Sequence, residues 1–186
     1  MSENQNPDNA QAEARWPRVL GTLGIVIAVL IFIDKLDDLV MMPMLHSRSW
    51  WGGMLGQELG DQIVGWMPSR AWLVASSVIG MGLGLLLFIA SLRLRRGLNS
   101  GVSLSRTWAW LAIAWLIVET VRTSTWMASH AGEIDAMGST AVWMQYATVG
   151  IVITFAVLLA YPVFLLVWFA RPQVQAVVAD WPDSSG

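Results

Sequence analysis

The feature that most constrains this chain is an apolar run over residues 71–92, AWLVASSVIGMGLGLLLFIASL, which contains no charged residue and no proline. As a helix, the run would be about 33 Å long, close to the thickness of the hydrocarbon layer of a bilayer. Arg93, Arg95 and Arg96 follow it directly. A buried helix of a soluble domain rarely needs so long an uncharged run. The run therefore predicts a membrane span with a basic flank.

The composition also indicates a membrane protein. The chain has 186 residues, of which 55% are hydrophobic and 13% are charged, whereas soluble domains carry about 25% charged residues. The net charge of −2 and the lack of a basic patch outside the span flanks give no indication of nucleic-acid binding. The absence of cysteine excludes disulfides, thiolate catalysis and cysteine-ligated metal sites. The 12 tryptophans suit a protein with many residues at the bilayer–water boundary.

The hydropathy pattern predicts an all-α polytopic membrane protein, with four transmembrane helices in a bundle and one amphipathic surface helix. The first span must continue through the charges of residues 34–38 to be long enough, and Pro43 is expected to end it. Pro68 and Ser69 are expected to open the second span, and Pro162 to kink the fourth. Gly138, Ser139 and Thr140 are expected to start the helix of the fourth span. The predicted spans are residues 19–40, 71–92, 107–127 and 142–170, within one membrane domain over residues 15–171.

The remaining segments are predicted as tails, loops and the surface helix. Apolar residues recur every four positions from Trp51 to Met67, which predicts the amphipathic helix over about residues 50–67. The other expectations are a disordered tail (1–14), an arginine-rich loop (93–106), a second loop (129–142) and a C-terminal tail (172–186) with a short helix at 173–181.

Basic residues near the spans predict the orientation. Seven arginines fall on one side of the four predicted spans and two on the other, which favours both termini in the cytoplasm. The first span lacks the pattern of a cleaved secretory signal and is expected to be retained. We therefore expect a multi-pass protein of a bacterial inner membrane. The seven are Arg15, Arg18, Arg93, Arg95, Arg96, Arg106 and Arg171, and the two are Arg48 and Arg70.

Four charged residues are predicted to lie within the membrane, namely Asp34 and Lys35 on the first span and Glu119 and Arg122 on the third. Each charge alone costs about 2.5–3.5 kcal/mol at a helix centre, so pairing is expected. Asp34 with Arg122 and Lys35 with Glu119 would pair across helices, whereas Glu119 and Arg122 share a helix face and could pair with each other. Two interpretations stay open: a structural polar layer, or a proton or ion pathway.

Two further groups of residues are candidates, one for helix packing and one for lipid contact. Ser76, Gly80 and Gly84 recur every four residues, a row of small side chains that lets another helix approach closely. The basic flanks could contact anionic lipid head groups, although the orientation rule alone accounts for them. The candidate lipid contacts are Arg93, Arg95, Arg96 and Arg106.

The sequence gives little indication of a catalytic or metal site. His46 and His130, together with Glu133 and Asp135, could form a metal site, but such residues are ordinary in exposed loops. No phosphate-binding glycine loop, zinc-protease motif or Ser-His-Asp arrangement is present in the sequence. No catalytic residue, metal or cofactor is therefore predicted.

Two segments, GLGLLLFIASLRLRRGLNSGVSLSRTWAWLAI from Gly82 to Ile113 and YPVFLLVWFARPQVQAVVADW from Tyr161 to Trp181, carry a resemblance. They resemble small uncharacterised bacterial membrane proteins of a planctomycete-type group. Those proteins combine an arginine-rich turn between spans with a Trp-Phe-x-Arg-Pro motif near the C-terminus. The resemblance covers about a third of the chain and implies a compact helical membrane bundle. It carries over no activity and no catalytic residue.

Three classes of function remain open from the sequence. The first is a non-enzymatic accessory, scaffold or lipid-interacting protein, which short loops and the small-residue row favour. The second is a small oligomeric transporter or channel that uses Asp34, Glu119 and Arg122. The third is a membrane enzyme acting on lipid, for which no nucleophile and base can be named. The expected partners are membrane lipids, another membrane protein or a second copy of the chain.

Overall fold

The computed structural model describes residues 15–57, 61, 64–65, 67–136 and 139–182. The predicted all-α class is confirmed over these ranges, and the predicted tail at 1–14 lies outside them. The elements defined within these ranges are, in chain order, α1 Trp16–Leu45, α2 Arg48–Leu55, α3 Arg70–Arg95, α4 Asn99–Ala136, α5 Ser139–Ala170 and α6 Pro172–Ala179.

Three of these helices are long and apolar enough to cross a membrane. The stretches are Trp16–Met44 of α1, Arg70–Arg95 of α3 and Asn99–Ser129 of α4. A fourth candidate combines Phe155–Ala170 of α5 with Pro172–Ala179 of α6, which meet at a bend of 72°. Length and composition thus support three membrane-crossing helices, or four if the bent pair is one span.

The first helix extends further than the sequence predicts. Pro43 was expected to end it, but α1 includes Pro43 and continues to Leu45. A proline removes a single backbone donor, and so near a helix end it costs less than in the middle. The next residue, His46, connects α1 to the start of α3. Its ring nitrogens lie 3.2 Å from the carbonyl oxygen of Met42 and 3.1 Å from that of Pro68.

The first part of the segment predicted as a surface helix is helical and forms α2. It begins at Arg48 because the Ser47 hydroxyl accepts a hydrogen bond of 3.3 Å from the Trp50 backbone N–H. It ends at Gly56, whose φ of 92° lies in the left-handed region that favours glycine. Several residues of the predicted continuation to residue 67 lie outside the described ranges.

The largest departure from the sequence predictions concerns the connection between α3 and α4. Residues 93–106 were predicted as a loop, but α3 continues to Arg95 and α4 begins at Asn99. Arginine and leucine are good helix formers, so a polar stretch rich in them does not end a helix. The chain turns at Gly97, whose φ is 68°. A side chain at Gly101 would collide with the backbone of Leu94, so glycine is required where the two helices meet.

The second predicted loop is also shorter than expected. Residues 129–142 were predicted to connect the third and fourth spans, but α4 remains helical through Ala136. The predicted helix start near Ser139 agrees with the first residue of α5. The predicted cap of the second span is present too, since the Ser69 hydroxyl accepts a 3.3 Å hydrogen bond from the Trp72 backbone N–H.

The core lies at one end of the molecule, which we call the basic end because Arg93, Arg95, Arg96, Arg106 and Arg171 are found there; the opposite end is the distal end. At the basic end, α6 folds back onto the bundle and buries Val174 and Val178, and the Asn99 backbone N–H donates to the carbonyl of Pro182. The buried apolar residues that form the core are Leu20, Ala28, Leu87, Leu94, Val102, Trp108, Ala109, Ala112, Leu165, Phe169, Val174 and Val178.

Candidate functional site

The predicted small-residue row on α3 brings that helix close to α1. Gly80 and Gly84 are buried, and a Cβ atom at Gly80 would lie 2.7 Å from Cγ of Lys35. A Cβ atom at Gly84 would lie 3.3 Å from the backbone oxygen of Ala28. The aliphatic part of the Lys35 side chain therefore lies across Gly80. Ser76, the third member of the row, hydrogen-bonds instead to α4.

The face of α1 that packs against α3 was not predicted from the sequence. A Cβ atom at Gly21 of α1 would lie 2.8 Å from the backbone oxygen of Ser91, and one at Gly24 would collide with the Ser91 hydroxyl. Gly21, Gly24 and Ala28 are spaced by three and four residues, which is the spacing of one helix face. That spacing is the sequence signal from which this face of α1 could have been predicted. We call the contact between these residues and Gly80, Gly84 and Ser91 the glycine seam.

Glu119 joins α4 to α3. Its Oε1 atom accepts a hydrogen bond of 2.8 Å from the Ser76 hydroxyl. Its Oε2 atom lies 3.2 Å from Nε of Arg122, one turn along the same helix. The Glu119 side chain is 17% exposed and that of Arg122 is 30% exposed. The ion pair is therefore partly covered, and its carboxylate is held by donors from two helices.

Two tryptophans complete the surroundings of Arg122. Its guanidinium carbon lies 5.0 Å from the centre of the Trp72 ring, within the range of a cation–π contact. The Trp72 ring stacks on Trp115 at 6.0 Å and 14°. Within the described part of the chain, the buried Nε1 atom of Trp72 has no hydrogen-bond partner. We call Trp72, Ser76, Trp115, Glu119 and Arg122 the α3–α4 polar cluster.

The charges of α1 form a separate group. Nζ of Lys35 lies 2.9 Å from Asp34 and 2.7 Å from Asp38. The structure thus places Lys35 against the acids of its own helix rather than against Glu119, and Glu119 makes the within-helix pair with Arg122. Among the described residues, the ion pairs of these charges do not join α1 to α4. Each charged group is neutralised locally.

This arrangement is suited to fixing helices in place. An ionised carboxylate is a pure hydrogen-bond acceptor, and here each oxygen of Glu119 has a donor. The Ser76 contact fixes the rotation of α3 relative to α4, because a turn of either helix would separate donor from acceptor. In an apolar layer, leaving such a carboxylate without partners is costly.

The candidate lipid-contacting arginines gather at the basic end. Arg95 and Arg96 are exposed, whereas Arg93 and Arg106 are half-buried. Arg106 was predicted to lie in a loop, but it lies in the second turn of α4. Its Nη2 atom donates to the carbonyl oxygen of Phe169. The guanidinium of Arg171 lies 4.9 Å from the Trp168 ring. Arg106 therefore connects α4 to the end of α5.

Aromatic rings close the same end of the bundle. Trp16, at the start of α1, stacks on Trp181 at 5.4 Å and lies 6.2 Å from both Trp168 and Phe169. Phe169 is completely buried. These contacts place the start of α1 beside the end of α5 and the segment after α6.

The candidate metal site is described only at His46. The ring nitrogens of His46 both face carbonyl oxygens, of Met42 and Pro68. A neutral imidazole has one N–H and can donate to one of them, whereas the protonated ring can donate to both. His130, Glu133 and Asp135 belong to α4, but their side chains are not described in the structure.

No family model, no curated protein and no solved structure matches this chain. Any function must therefore be argued from the geometry of its own residues.

Proposed function

We propose that the chain is a non-enzymatic accessory or scaffold protein, embedded as a four-span bundle in a bacterial inner membrane with both termini in the cytoplasm. The observation that carries this proposal is the closed apolar core of the basic end. Side chains from five helices meet there, and Leu87, Leu165 and Phe169 are at most 1% exposed. Such packing gives a rigid body and leaves little room for a polar passage.

The ends of the helices support an even number of crossings. Trp16 opens α1 and lies 6.2 Å from Phe169 near the end of α5. A chain that enters the bundle and leaves it at the same end crosses an even number of times. The arginines at this end favour the cytoplasmic face.

The outer surface of the bundle supports contact with lipids and with another membrane protein. Large aliphatic side chains are exposed on all three long apolar helices, among them Val40, Val78 and Val121. Hydrocarbon chains or a further transmembrane helix would cover such a surface equally well. The partner is a second membrane protein or a second copy of this chain.

The exposure of the α3–α4 polar cluster favours a protein partner in the assembly. An arginine side chain that remains 30% exposed within an apolar helix is poorly accommodated by hydrocarbon. A second chain packed against this region would cover Arg122 and could supply an acceptor for it. Glu119, which holds Arg122, would then be needed for assembly.

A small oligomeric transporter or channel is the alternative function. One observation favours it: Asp34, Glu119 and Arg122 all keep some exposure in the distal halves of apolar helices. In an oligomer, several copies of these groups could line a polar path. Among the described residues, no comparable row of charges continues through the core toward the basic end.

The decisive experiment compares the assembly of the wild-type protein with that of Glu119→Leu and of Ile117→Leu, an apolar change at an exposed position on the same helix. Tagged full-length protein is extracted in mild detergent, and its mass and co-purifying proteins are determined. We expect a stoichiometric complex for the wild type and Ile117→Leu and a smaller species for Glu119→Leu. A wild-type protein that is always monomeric and alone would contradict the proposal. Ion flux in liposomes that Glu119→Leu abolishes while the assembly stays intact would favour the transporter.

A further inference from the structure

A groove of about 500 Å³ lies at the basic end, between the first turns of α4 and the folded-back helix α6. Its volume is within the usual range for small-molecule sites, about 300–1,000 Å³. The lining residues belong mainly to these two helices, with Phe169 from the end of α5. They are Asn99, Val102, Ser103, Arg106, Thr107, Trp110, Phe169, Val174, Gln175, Val178 and Ala179.

The polar side of the groove is organised around one cation. Among the described residues that line the groove, Arg106 is the single charged one and none is acidic. Its Nη2 atom donates to the carbonyl oxygen of Phe169, an anchor that holds the planar guanidinium in the wall of the groove. A guanidinium has five N–H donors, so this anchor leaves donors for a ligand. Ser103, Thr107 and Gln175 add exposed polar groups beside it.

The other side of the groove is apolar. Val102, Val174 and Val178 are buried beneath it, and Trp110 stands at its edge with 64% of its surface exposed. Trp110 lies one turn further into α4 than Arg106, toward the apolar part of the helix. A tryptophan in this position is typical of the boundary between head groups and acyl chains. From Arg106 to Trp110, the groove therefore changes from cationic to apolar. A membrane lipid presents its head group and its acyl chains in the same order.

We propose that this groove binds the head group of an anionic phospholipid, with the phosphate on the Arg106 guanidinium and the start of an acyl chain along Trp110. Guanidinium groups bind phosphate oxygens through paired, charge-assisted hydrogen bonds. The described lining residues offer cationic and neutral donors and no carboxylate, which suits an anion better than the zwitterionic choline head group. The site does not depend on the proposed scaffold function and could exist in a transporter.

The test compares Arg106→Gln with Arg171→Gln in the purified full-length protein. Both changes remove one positive charge at the basic end, but Arg171 stacks on Trp168 and does not line the groove. Binding of phosphatidylglycerol, phosphatidylcholine and inorganic phosphate is measured by native mass spectrometry in detergent. We expect phosphatidylglycerol to bind in preference to phosphatidylcholine, and Arg106→Gln to weaken it about fivefold, the equivalent of about 1 kcal/mol per arginine. Arg171→Gln should change it less.

Three outcomes would overturn the proposal: equal binding of the two lipids, equal losses in the two variants, or binding of inorganic phosphate as tight as that of phosphatidylglycerol. The second outcome would indicate diffuse electrostatic attraction, and the third a phosphate site without a lipid.

Loss of the Phe169 anchor in Arg106→Gln could itself disturb the fold, so a second variant is needed. Ser103→Phe fills the groove from an exposed position and leaves Arg106 in place. We expect it to reduce phosphatidylglycerol binding while the thermal unfolding temperature stays near that of the wild type. Unchanged lipid binding in Ser103→Phe would contradict the proposed location.

Discussion

At the scale of single residues, the most informative contact is the 2.8 Å hydrogen bond that Ser76 donates to Glu119. It joins α3 to α4, which also meet where the Arg122 guanidinium lies 5.0 Å from the centre of the Trp72 ring. Hydrogen bonds between membrane helices contribute about 0.6 kcal/mol on average, because the separated helices also find partners in the bilayer. The contact is therefore more important for the relative rotation of α3 and α4 than for total stability.

A double-mutant cycle on Ser76→Ala and Glu119→Leu measures this contact directly, because leucine has no acceptor for the Ser76 hydroxyl. We expect Ser76→Ala alone to lower the free energy of unfolding by about 0.6 kcal/mol. Glu119→Leu should cost more, because it also removes the charge that pairs with Arg122 at 3.2 Å. The double variant should lose less than the sum of the two changes, since the shared hydrogen bond is removed only once. Strictly additive losses, measured by denaturant titration in detergent, would show that the two side chains do not interact.

The sequence identifies the charged residues of the membrane layer but not their partners. Asp34, Lys35, Glu119 and Arg122 stand out because they interrupt apolar runs. Their pairing depends on how each helix is rotated about its axis, and a nearly uniform apolar sequence carries little information on that rotation. The within-helix pair of Glu119 and Arg122 could be anticipated from its spacing. The contact of Glu119 with Ser76 could not.

At the scale of helices, the glycine seam determines how closely α1 and α3 approach. Backbone atoms of one helix occupy the space that side chains would take on the other, as at Gly21 and Gly84. Close backbone approach increases van der Waals contact, which is the main source of association where lipid removes the hydrophobic driving force. The seam also gives the stem of Lys35 an apolar surface while its amine reaches the neighbouring acids.

Gly21→Ala and Gly82→Ala test the seam with the same chemical change. A methyl group at Gly21 would lie 2.8 Å from a backbone oxygen, whereas the space around Gly82 is open. We expect Gly21→Ala to cost about 1–3 kcal/mol, as overpacking usually does. Gly82→Ala should be neutral or stabilising, because alanine has the higher helix propensity. If thermal unfolding in detergent shows the two variants to be equally stable, the close approach is not needed.

Helix boundaries follow from the sequence only where local chemistry defines them. The Ser69 cap and the start of α5 at Ser139 agree with their signals. The start of α4 does not, because serine and glycine before Thr107 are weak helix formers and were interpreted as a loop. Packing of Gly101 against Leu94 and burial of Val102 hold this segment helical. Polarity indicates where a helix leaves the membrane, and a helix can continue well beyond that point.

At the scale of the whole molecule, the buried residues are unevenly distributed along the bundle axis. The completely buried side chains, such as Leu87 and Phe169, lie toward the basic end. The described side chains of the distal half are mostly exposed or half-buried. We therefore expect the stability of the protein to depend chiefly on the basic half.

Leu87→Ala and Leu85→Ala compare a buried and an exposed position at nearly the same level of α3. Leu87 is 0% exposed and Leu85 is 57% exposed. Truncation of Leu87 should cost about 2–5 kcal/mol because it leaves a cavity in the core. Truncation of Leu85 should cost much less, since lipid or detergent can fill the vacated space. The free energy of unfolding is followed by circular dichroism in a denaturing detergent titration. Similar losses in the two variants would contradict the assignment of Leu87 to the core.

The stacking of Trp16 on Trp181 also has a kinetic consequence. The two rings are separated by nearly the whole described chain, so their contact closes a loop that contains the intervening helices. Contacts of such long sequence separation form late, because the loop entropy must be overcome first. Fluorescence changes from this pair would therefore mark the final step of membrane insertion. A chain arrested before that step would present its apolar α6 surface to the cell's proteases.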